Sequence, residues 1–273
     1  MACVNLARYR GQQKIKGGIR MKLAFITGAT SGIGRATVEV LAEKGYKLAL
    51  AARNEGKLKD IAAELAMKYN SDVSIYPLDV QDREAIKKTV ADVLAKDGVP
   101  DVLVNDAGLA RGLEPYGETN PDDIEQMIDT NIKGLFFVTR AFLPAMLERN
   151  TGHIVNLGST AGLYAYAGAA VYCATKAAVK TFSDGLRIDV MESDIKVTTI
   201  QPGIVETPFS EVRFHGDKER AAAVYAGIDA LHPEDIADVI GFVLSQPKRV
   251  QISDVVIMAN QQGTGFLVSK KKG

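Results

Sequence analysis

Short apolar segments alternate with longer mixed segments along the chain after Met21. The apolar segments show little apolar–polar alternation, which is typical of strands buried on both faces of a sheet. Helix-like stretches separate these segments from one another. The pattern predicts seven strands, at residues 23–27, 48–52, 73–76, 102–105, 154–157, 197–200 and 255–258.

The helix-like stretches carry signals for where helices begin and end. Asn120 is followed by Pro121 and two aspartates, which combines a helix cap, a first-turn proline and early acidic residues. Gly45 is a good stop for the first helix, whereas Pro144 predicts a kink or break in the long stretch from 120 to about 149. The other predicted helices cover residues 35–44, 55–69, 83–96, 169–191 and 233 to just before Pro247.

This alternation predicts an α/β protein with a doubly wound parallel sheet of about seven strands and helices on both faces. The length of 273 residues suits one such domain. We therefore expect a basic N-terminal extension at residues 1–20, a folded domain at 21–262 and a C-terminal tail at 263–273. For the extension, a targeting arm and an upstream translation start both remain open.

Composition excludes several classes of function. Lysine plus arginine and aspartate plus glutamate both number 33, so nothing in the net charge points to nucleic acid or a membrane surface as a partner. No apolar segment approaches the length of a membrane span. Cys3 and Cys173 suit a reducing compartment, and we expect a cytoplasmic protein. The three histidines lack metal-ligand spacing, so no metal site is expected.

The first predicted strand leads directly into a glycine-rich turn, Thr-Gly-Ala-Thr-Ser-Gly-Ile-Gly at residues 27–34, and a helix follows. Glycines at this position let the backbone approach a pyrophosphate, and amides at the helix start face the phosphates. A P-loop is disfavoured because no Lys-Ser or Lys-Thr follows the last glycine. The turn therefore predicts a dinucleotide site, with a purely structural tight turn as the alternative.

The end of the second predicted strand indicates which dinucleotide binds. A site selective for NAD usually has a carboxylate here, but this chain has Arg53. A guanidinium can hold a 2′-phosphate through charge-assisted hydrogen bonds, and Ser31 could add a hydroxyl. We therefore predict NADP(H) as the cofactor, with an ordinary surface arginine as the alternative.

Tyr172 and Lys176 are four residues apart, which places them on one face of a predicted helix. An ammonium about 4 Å from the phenol would lower its pKa by about three units, towards the range useful for acid–base chemistry. Ser159 ends a predicted strand, at the edge of the sheet where ligands bind. Its hydroxyl could hold a carbonyl oxygen. A chance pair on a helix face and an ordinary turn serine are the alternatives.

Taken together and in order, these motifs resemble the short-chain dehydrogenase/reductase family. The resemblance covers residues 21–262 and implies a Rossmann fold and an NADP(H)-dependent oxidoreductase acting on CH–OH groups. The catalytic residues it implies are Asn131, Ser159, Tyr172 and Lys176. The cofactor contacts assigned to the chain are Gly28, Thr30, Ser31, Gly32, Ile33, Gly34, Arg53, Asn54, Asp79, Val80, Asn105, Ala107, Gly108, Tyr172, Lys176, Pro202, Gly203, Val205 and Thr207.

The resemblance also implies individual roles. Asp79 and Val80 contact the adenine, Asn105 stabilises the sheet beside the cofactor, and Asn131 holds a water of the proton relay. Lys176 also bonds the nicotinamide ribose, and residues 202–207 line the nicotinamide. One position departs from the family pattern, because Asp106 stands where a second asparagine is usual. We expect altered hydrogen bonding there, but not loss of cofactor binding.

Residues 108–115, 127–131 and 209–217 carry a narrower resemblance, to NADP-dependent 3-hydroxy acid dehydrogenases acting on serine, allo-threonine and related compounds. It implies a small-molecule substrate, bound at Ser159, Tyr172 and Arg213, and a homotetramer with interfaces on the helices around Asn131 and Tyr172. Arg111 is a second candidate for holding the substrate carboxylate. A related reductase of ketones, acyl thioesters or sugars and a non-catalytic NADP(H) sensor remain open.

Overall fold

A computed structural model describes residues 20–270 of the chain. Within this part, seven parallel strands form one sheet in the order β3-β2-β1-β4-β5-β6-β7, which confirms the predicted doubly wound fold. The expected extension falls almost entirely outside the described residues. The strands are β1 Leu23–Thr27, β2 Lys47–Ala52, β3 Val73–Pro77, β4 Val102–Asn105, β5 Gly152–Leu157, β6 Ile195–Pro202 and β7 Asp254–Ile257.

Helices cover both faces of the sheet. On one face α1, α2 and α9 pack against the strands through residues such as Leu41, Leu58 and Ile240. On the other face α3, α5 and α6 pack through residues such as Val93 and Phe142. The helices are α1 Gly32–Glu43, α2 Glu55–Tyr69, α3 Arg83–Lys96, α4 Pro121–Ile128, α5 Leu135–Arg149, α6 Ala170–Asp189, α7 Phe209–Arg213, α8 Lys218–Tyr225 and α9 Pro233–Ser245.

The long helical stretch is interrupted at a different place from the one predicted. Pro144 lies inside α5, which continues to Arg149, so no break occurs there. Phe142 and Met146 on either side of the proline are fully buried, and this packing holds the helix together. The interruption is instead a π-helical turn, Asp129–Gly134, between α4 and α5. Such turns are frequent at functional sites, and this one contains Asn131.

The expected C-terminal tail is not separate from the domain. Gly263 donates a backbone hydrogen bond to Leu267, and Ser269 donates one to Gln261, so this segment folds back on itself. The buried side chain of Gln262 accepts a hydrogen bond from the Ile204 amide at 3.0 Å. It also donates one to the Gly265 carbonyl at 3.2 Å. These bonds join the segment to the loop after β6, so residues beyond 262 contact the domain.

Two further findings concern the whole described part of the chain. None of its helices is both long enough and apolar enough to cross a membrane. Between residues 20 and 270, no group of three or more histidine, cysteine, aspartate or glutamate side chains is placed to hold a metal ion.

Candidate active site

A cavity of about 240 Å³ opens at the carboxyl edge of the sheet. The glycine-rich turn, the loops after β4, β5 and β6, and helices α6 and α7 enclose it. Parallel strands bring these loops together, because the carboxyl ends of all the strands lie at one edge. The sequence-predicted residues that line it are Ser31, Gly32, Ile33, Gly108, Ser159, Tyr172, Lys176, Pro202, Gly203, Val205, Thr207 and Arg213.

Other predicted cofactor residues lie behind or beside the cavity rather than in its wall. Gly28, Thr30 and Gly34 belong to the turn itself, and behind it Asn105 ends β4 and Ala107 follows that strand. The remaining four lie at the ends of β2 and β3, along the same edge of the sheet: Arg53, Asn54, Asp79 and Val80.

The glycine-rich turn has no room for side chains at two of its positions. Gly28 has φ +70°, and a Cβ there would lie 2.9 Å from the Ala107 amide nitrogen. A Cβ on Gly34 would lie 2.4 Å from the Gly28 carbonyl oxygen. Ser31 holds the N-cap position of α1, yet its hydroxyl caps no amide of that helix. The start of α1 therefore presents bare backbone and a free hydroxyl to the cavity.

Arg53 is exposed directly after β2 and makes no hydrogen bond or ion pair with any other residue between 20 and 270. Its neighbour Asn54 caps α2, accepting from the Lys57 amide at 2.9 Å. By contrast, Arg35 in the first turn of α1 pairs with Glu39 and Glu64. Arg53 is thus a cation without a partner among the described residues, at the carboxyl edge of the sheet where the sequence predicts a 2′-phosphate.

Tyr172 and Ser159 form the centre of the cavity. Tyr172 is 8% exposed, in the first turn of α6, and it lines the cavity together with Ser159, whose hydroxyl donates to the Pro202 carbonyl at 3.4 Å. Ser159 also accepts from the Ala161 amide at 3.1 Å, which fixes the loop after β5. Lys176 lies one turn further along α6, and its Nζ donates to the Leu157 carbonyl at 2.8 Å. The predicted triplet is therefore brought together around one space.

The predicted electrostatics of Tyr172 are wrong in sign for the protein without cofactor. Burial raises the pKa of the phenol above its usual range, and nearby Tyr166 raises it further. Arg213 and the Ser159 hydroxyl oppose this rise. The Lys176 ammonium is 5.9 Å from the Tyr172 ring centroid and is directed to the Leu157 carbonyl. Burial also lowers the pKa of Lys176 to about 8, with Asp106 acting in the opposite direction.

Two predicted asparagines make hydrogen bonds between the segments that carry the site residues. Asn131 accepts from the Leu109 amide at 2.8 Å and donates to the Leu109 carbonyl at 2.8 Å and to Thr175 at 3.1 Å. It therefore ties the loop after β4 to α6. Asn105 donates to Thr139 at 2.9 Å and to Asn156 at 2.8 Å. These bonds link β4 to α5 and β5.

The structure separates the two candidate partners for a substrate carboxylate. Arg213 lines the cavity with its guanidinium 5.2 Å from the Tyr172 ring centroid, and it donates to the Tyr166 hydroxyl at 3.1 Å. Its buried Nε has no hydrogen-bond partner within residues 20–270. Arg111 lies outside the cavity wall and binds Gln126 and the Val212 carbonyl. Of the two arginines, Arg213 therefore lies inside the site, and Arg111 holds α7 in place.

Several residues of the site were not predicted from the sequence. Tyr166 and Phe209 line the cavity beside Tyr172, and Tyr225 of α8 binds Ser210 at 2.7 Å beneath the loop after β6. Gly265, from the supposed tail, also borders the cavity. These residues lie in short or irregular segments without periodicity, so no sequence pattern pointed to them.

The profile of the short chain dehydrogenase family matches residues 22–218, and the chain belongs to this family. The NADP-dependent 3-hydroxy acid dehydrogenase of Schizosaccharomyces pombe is 42% identical over 252 residues, which cover 92% of this chain and 97% of that protein. The protein of the same name from Salmonella typhi is 45% identical over 237 residues, 86% of this chain and 94% of its own.

A solved structure is similar over almost the same length. The closed form of serine dehydrogenase complexed with NADP+ is 41% identical and superposes with a TM-score of 0.85, covering 92% of this chain and all 100% of that one. The predicted family and fold are therefore confirmed.

Proposed function

We propose that the protein is an NADP(H)-dependent oxidoreductase that interconverts the hydroxyl and carbonyl forms of a small 3-hydroxy acid such as serine, allo-threonine or 3-hydroxypropionate. One observation carries this proposal. The Tyr172 phenol and Ser159 share one cavity with the buried guanidinium of Arg213, which lies 5.2 Å from the Tyr172 ring centroid. A proton donor and a cation for a substrate carboxylate thus line the same small cavity.

The residues at the carboxyl edge of the sheet fit an NADP(H) cofactor. The crowded backbone at Gly28 and Gly34 suits close approach of a pyrophosphate to the start of α1. The unpaired Arg53 and the free Ser31 hydroxyl suit a 2′-phosphate. The family resemblance assigns Lys176 to the nicotinamide ribose and Thr207 to the carboxamide. Both residues line the cavity, which supports binding of the nicotinamide there. When bound, the nicotinamide supplies or accepts the hydride.

Side chains of the protein itself carry out the proton transfer. Because burial raises the pKa of Tyr172, its phenol is neutral near neutral pH, and this is the form that donates a proton to a carbonyl oxygen. In the reverse direction the phenolate is needed, and the Arg213 charge and the Ser159 hydroxyl stabilise it. Ser159 holds the same substrate oxygen. Asn131 keeps the loop after β4 fixed to α6.

Arg213 is the residue that makes the site selective for an acid. Replacing it, Arg213→Gln, removes a charge-assisted hydrogen bond worth about 1.5–3 kcal/mol, so we expect KM for 3-hydroxypropionate to rise about 10- to 100-fold. The matched control is the neutral methyl ester of the same compound, whose KM should change little. Steady-state rates with both compounds check this, and an equal effect on both would contradict it.

A substrate panel tests the function itself. The purified protein is assayed with NADP+ and NAD+ against D- and L-serine, allo-threonine, 3-hydroxypropionate and simple secondary alcohols. Reverse assays use ketones, 3-oxoacyl thioesters and keto sugars. We expect the highest kcat/KM with NADP+ and a 3-hydroxy acid. A preference for another group would favour a related reductase, and tight NADPH binding without any carbonyl reduction would favour a sensor.

We also propose that the protein is a cytoplasmic homotetramer. The partly exposed Phe136 and Phe182 stack at 4.1 Å between α5 and α6, the two helices expected at a subunit interface. Ile188 on α6 is 67% exposed, which suits burial against another subunit. Light scattering on the purified protein measures the assembly, and a monomer at micromolar concentration would contradict it.

A further inference from the structure

Asp106 places a carboxyl group directly behind the glycine-rich turn. It follows β4, and its amide and that of Ala107 both donate to the Thr27 hydroxyl at 3.1 Å. Its Oδ2 lies 2.9 Å and 2.4 Å from the positions that Cβ atoms on Gly28 and Gly34 would take. The carboxyl group therefore fills the space that the two glycines leave.

The surroundings of this carboxyl group contain little charge. Asp106 is half-buried as a residue because one side borders the cavity, but protein encloses the carboxyl group itself. Among the described residues, α1 contributes only the Gly34 amide and β1 the neutral Thr27, while Lys176 on α6 is the charged group that acts on it. The Lys176 ammonium is already hydrogen-bonded to Leu157, so it offers incomplete compensation.

The same place is where the phosphates of the proposed cofactor approach. The Asp106 carboxyl group lies against the backbone of Gly34, in the first turn of α1, where amides face a phosphate. An ionised carboxylate there repels the pyrophosphate, and like charges in an enclosed site favour protonation of one of them. The asparagine usual in the family at this position carries no such charge.

We propose that Asp106 takes up a proton when NADP(H) binds, so that the affinity of this protein for its cofactor depends on pH. The inference rests on the proposed function, since it requires a phosphate-bearing nucleotide at the start of α1. It assigns a role in cofactor binding to the one motif position where this chain departs from the family pattern.

The direction of the pH dependence follows from the ionisation of Asp106 before the nucleotide binds. Burial raises the pKa of Asp106 to about 7, with Lys176 and the Gly34 amide acting in the opposite direction. Below that value the carboxyl group is already protonated, and affinity is highest. Above it, binding must take up a proton, so affinity falls by up to about tenfold per pH unit until the pKa of the complex is reached.

Calorimetric titration with NADPH tests this on the full-length protein. Dissociation constants are measured from about one pH unit below neutrality to about two above, and heats are compared in phosphate and Tris buffers, which have different ionisation enthalpies. The wild-type protein should lose affinity with rising pH and take up a proton. Asp106→Asn, which keeps the shape without the charge, should lose most of the slope and of the proton uptake.

The outcomes separate this inference from the proposed function. Absence of proton uptake by the wild-type protein would overturn the role of Asp106. An equal slope in Asp106→Asn would also overturn it, because the proton would then belong to Lys176 or to the nucleotide phosphates. If Asp106→Asn does not fold, Asp106→Ser provides a smaller neutral variant for the same comparison. Failure of NADPH to bind at any pH would instead contradict the proposed function.

Discussion

At the scale of single residues, we propose that Arg53 sets the preference of the site for NADP(H) over NAD(H). Because its guanidinium has no partner within residues 20–270, removing it costs the fold little. Arg53→Ala should weaken NADP+ binding by about 10- to 100-fold, the equivalent of one charge-assisted hydrogen bond, and leave NAD+ binding nearly unchanged. The ratio of kcat/KM values for the two cofactors measures this.

The matched control for this variant is Arg249→Ala. Arg249 is also exposed, but it precedes β7 and so lies at the opposite edge of the sheet. It removes the same charge without touching the proposed site. If both variants changed the NADP+ to NAD+ ratio equally, the effect would come from overall charge, and Arg53 would have no specific role.

The site residues that could be predicted are those that stand in short motifs with a recognisable spacing. Tyr172, Lys176 and Ser159 stand in short motifs beside strand and helix ends, so their convergence followed from the fold. The pKa of Tyr172 did not follow, because it depends on burial and on the direction of the Lys176 side chain. The packing of the Arg213 guanidinium against the Tyr172 ring was not predicted either, since it joins two helices, α7 and α6, that are far apart in the sequence.

At the scale of elements, the junction of β1, the turn and α1 is the most crowded part of the site. A Cβ on Gly34 would lie 2.4 Å from both the Asp106 carboxyl group and the Gly28 carbonyl. Gly34→Ala should therefore destabilise the protein by about 1–3 kcal/mol and weaken NADPH binding at least tenfold. Denaturant unfolding and NADPH fluorescence titration measure the two effects.

Gly117→Ala is the control for crowding, because nothing lies within 4 Å of a Cβ built on Gly117. It should leave both stability and NADPH binding close to those of the wild-type protein. Wild-type binding by Gly34→Ala would show that the turn is not the phosphate site.

Elements with strong periodic or capping signals were predictable, and those made by tertiary contacts were not. The bounds of β1, β4, α2 and α3 agree with the prediction, because apolar segments and caps mark their ends. No sequence signal marks the π-helical turn. Its residue Asn131 makes tertiary hydrogen bonds to Leu109 and Thr175, which the sequence does not reveal. Helices α7 and α8 were missed because they are five and eight residues long.

At the scale of the whole molecule, His153 makes stability depend on pH. Its Nε2 lies 2.8 Å from the Thr198 hydroxyl, and burial lowers its pKa from 6.5 to about 3, with Lys196 contributing. Because the unfolded chain takes up a proton below about pH 6.5 and the folded one does not, stability is lost as pH falls. At about pH 5 the loss should be about 2 kcal/mol.

Urea unfolding at neutral pH and at about pH 5 measures this loss. His153→Gln cannot titrate, yet it keeps a side-chain N–H for Thr198, so it should remove about 2 kcal/mol of the pH dependence. The control His232→Gln, at the start of α9, should keep the wild-type dependence. An unchanged dependence in His153→Gln would mean that other groups cause it.

The overall architecture was the most predictable level. Alternating strands and helices with right-handed crossovers leave few arrangements, and the observed strand order is one of them. The return of residues 263–270 to the loop after β6 could not be foreseen, since it depends on the buried side chain of Gln262. A short stretch with two glycines and no periodicity gives no sign of such contacts.

The central claim is that the Tyr172 phenol moves the proton in an NADP(H)-linked reaction. Tyr172→Phe keeps the ring that packs beside Phe209 and Arg213 but removes the hydroxyl. With the best substrate of the panel, kcat should fall by about 10²- to 10⁴-fold, while NADPH binds with an affinity close to that of the wild-type protein. Near-normal turnover by Tyr172→Phe, with NADPH still bound, would contradict the account.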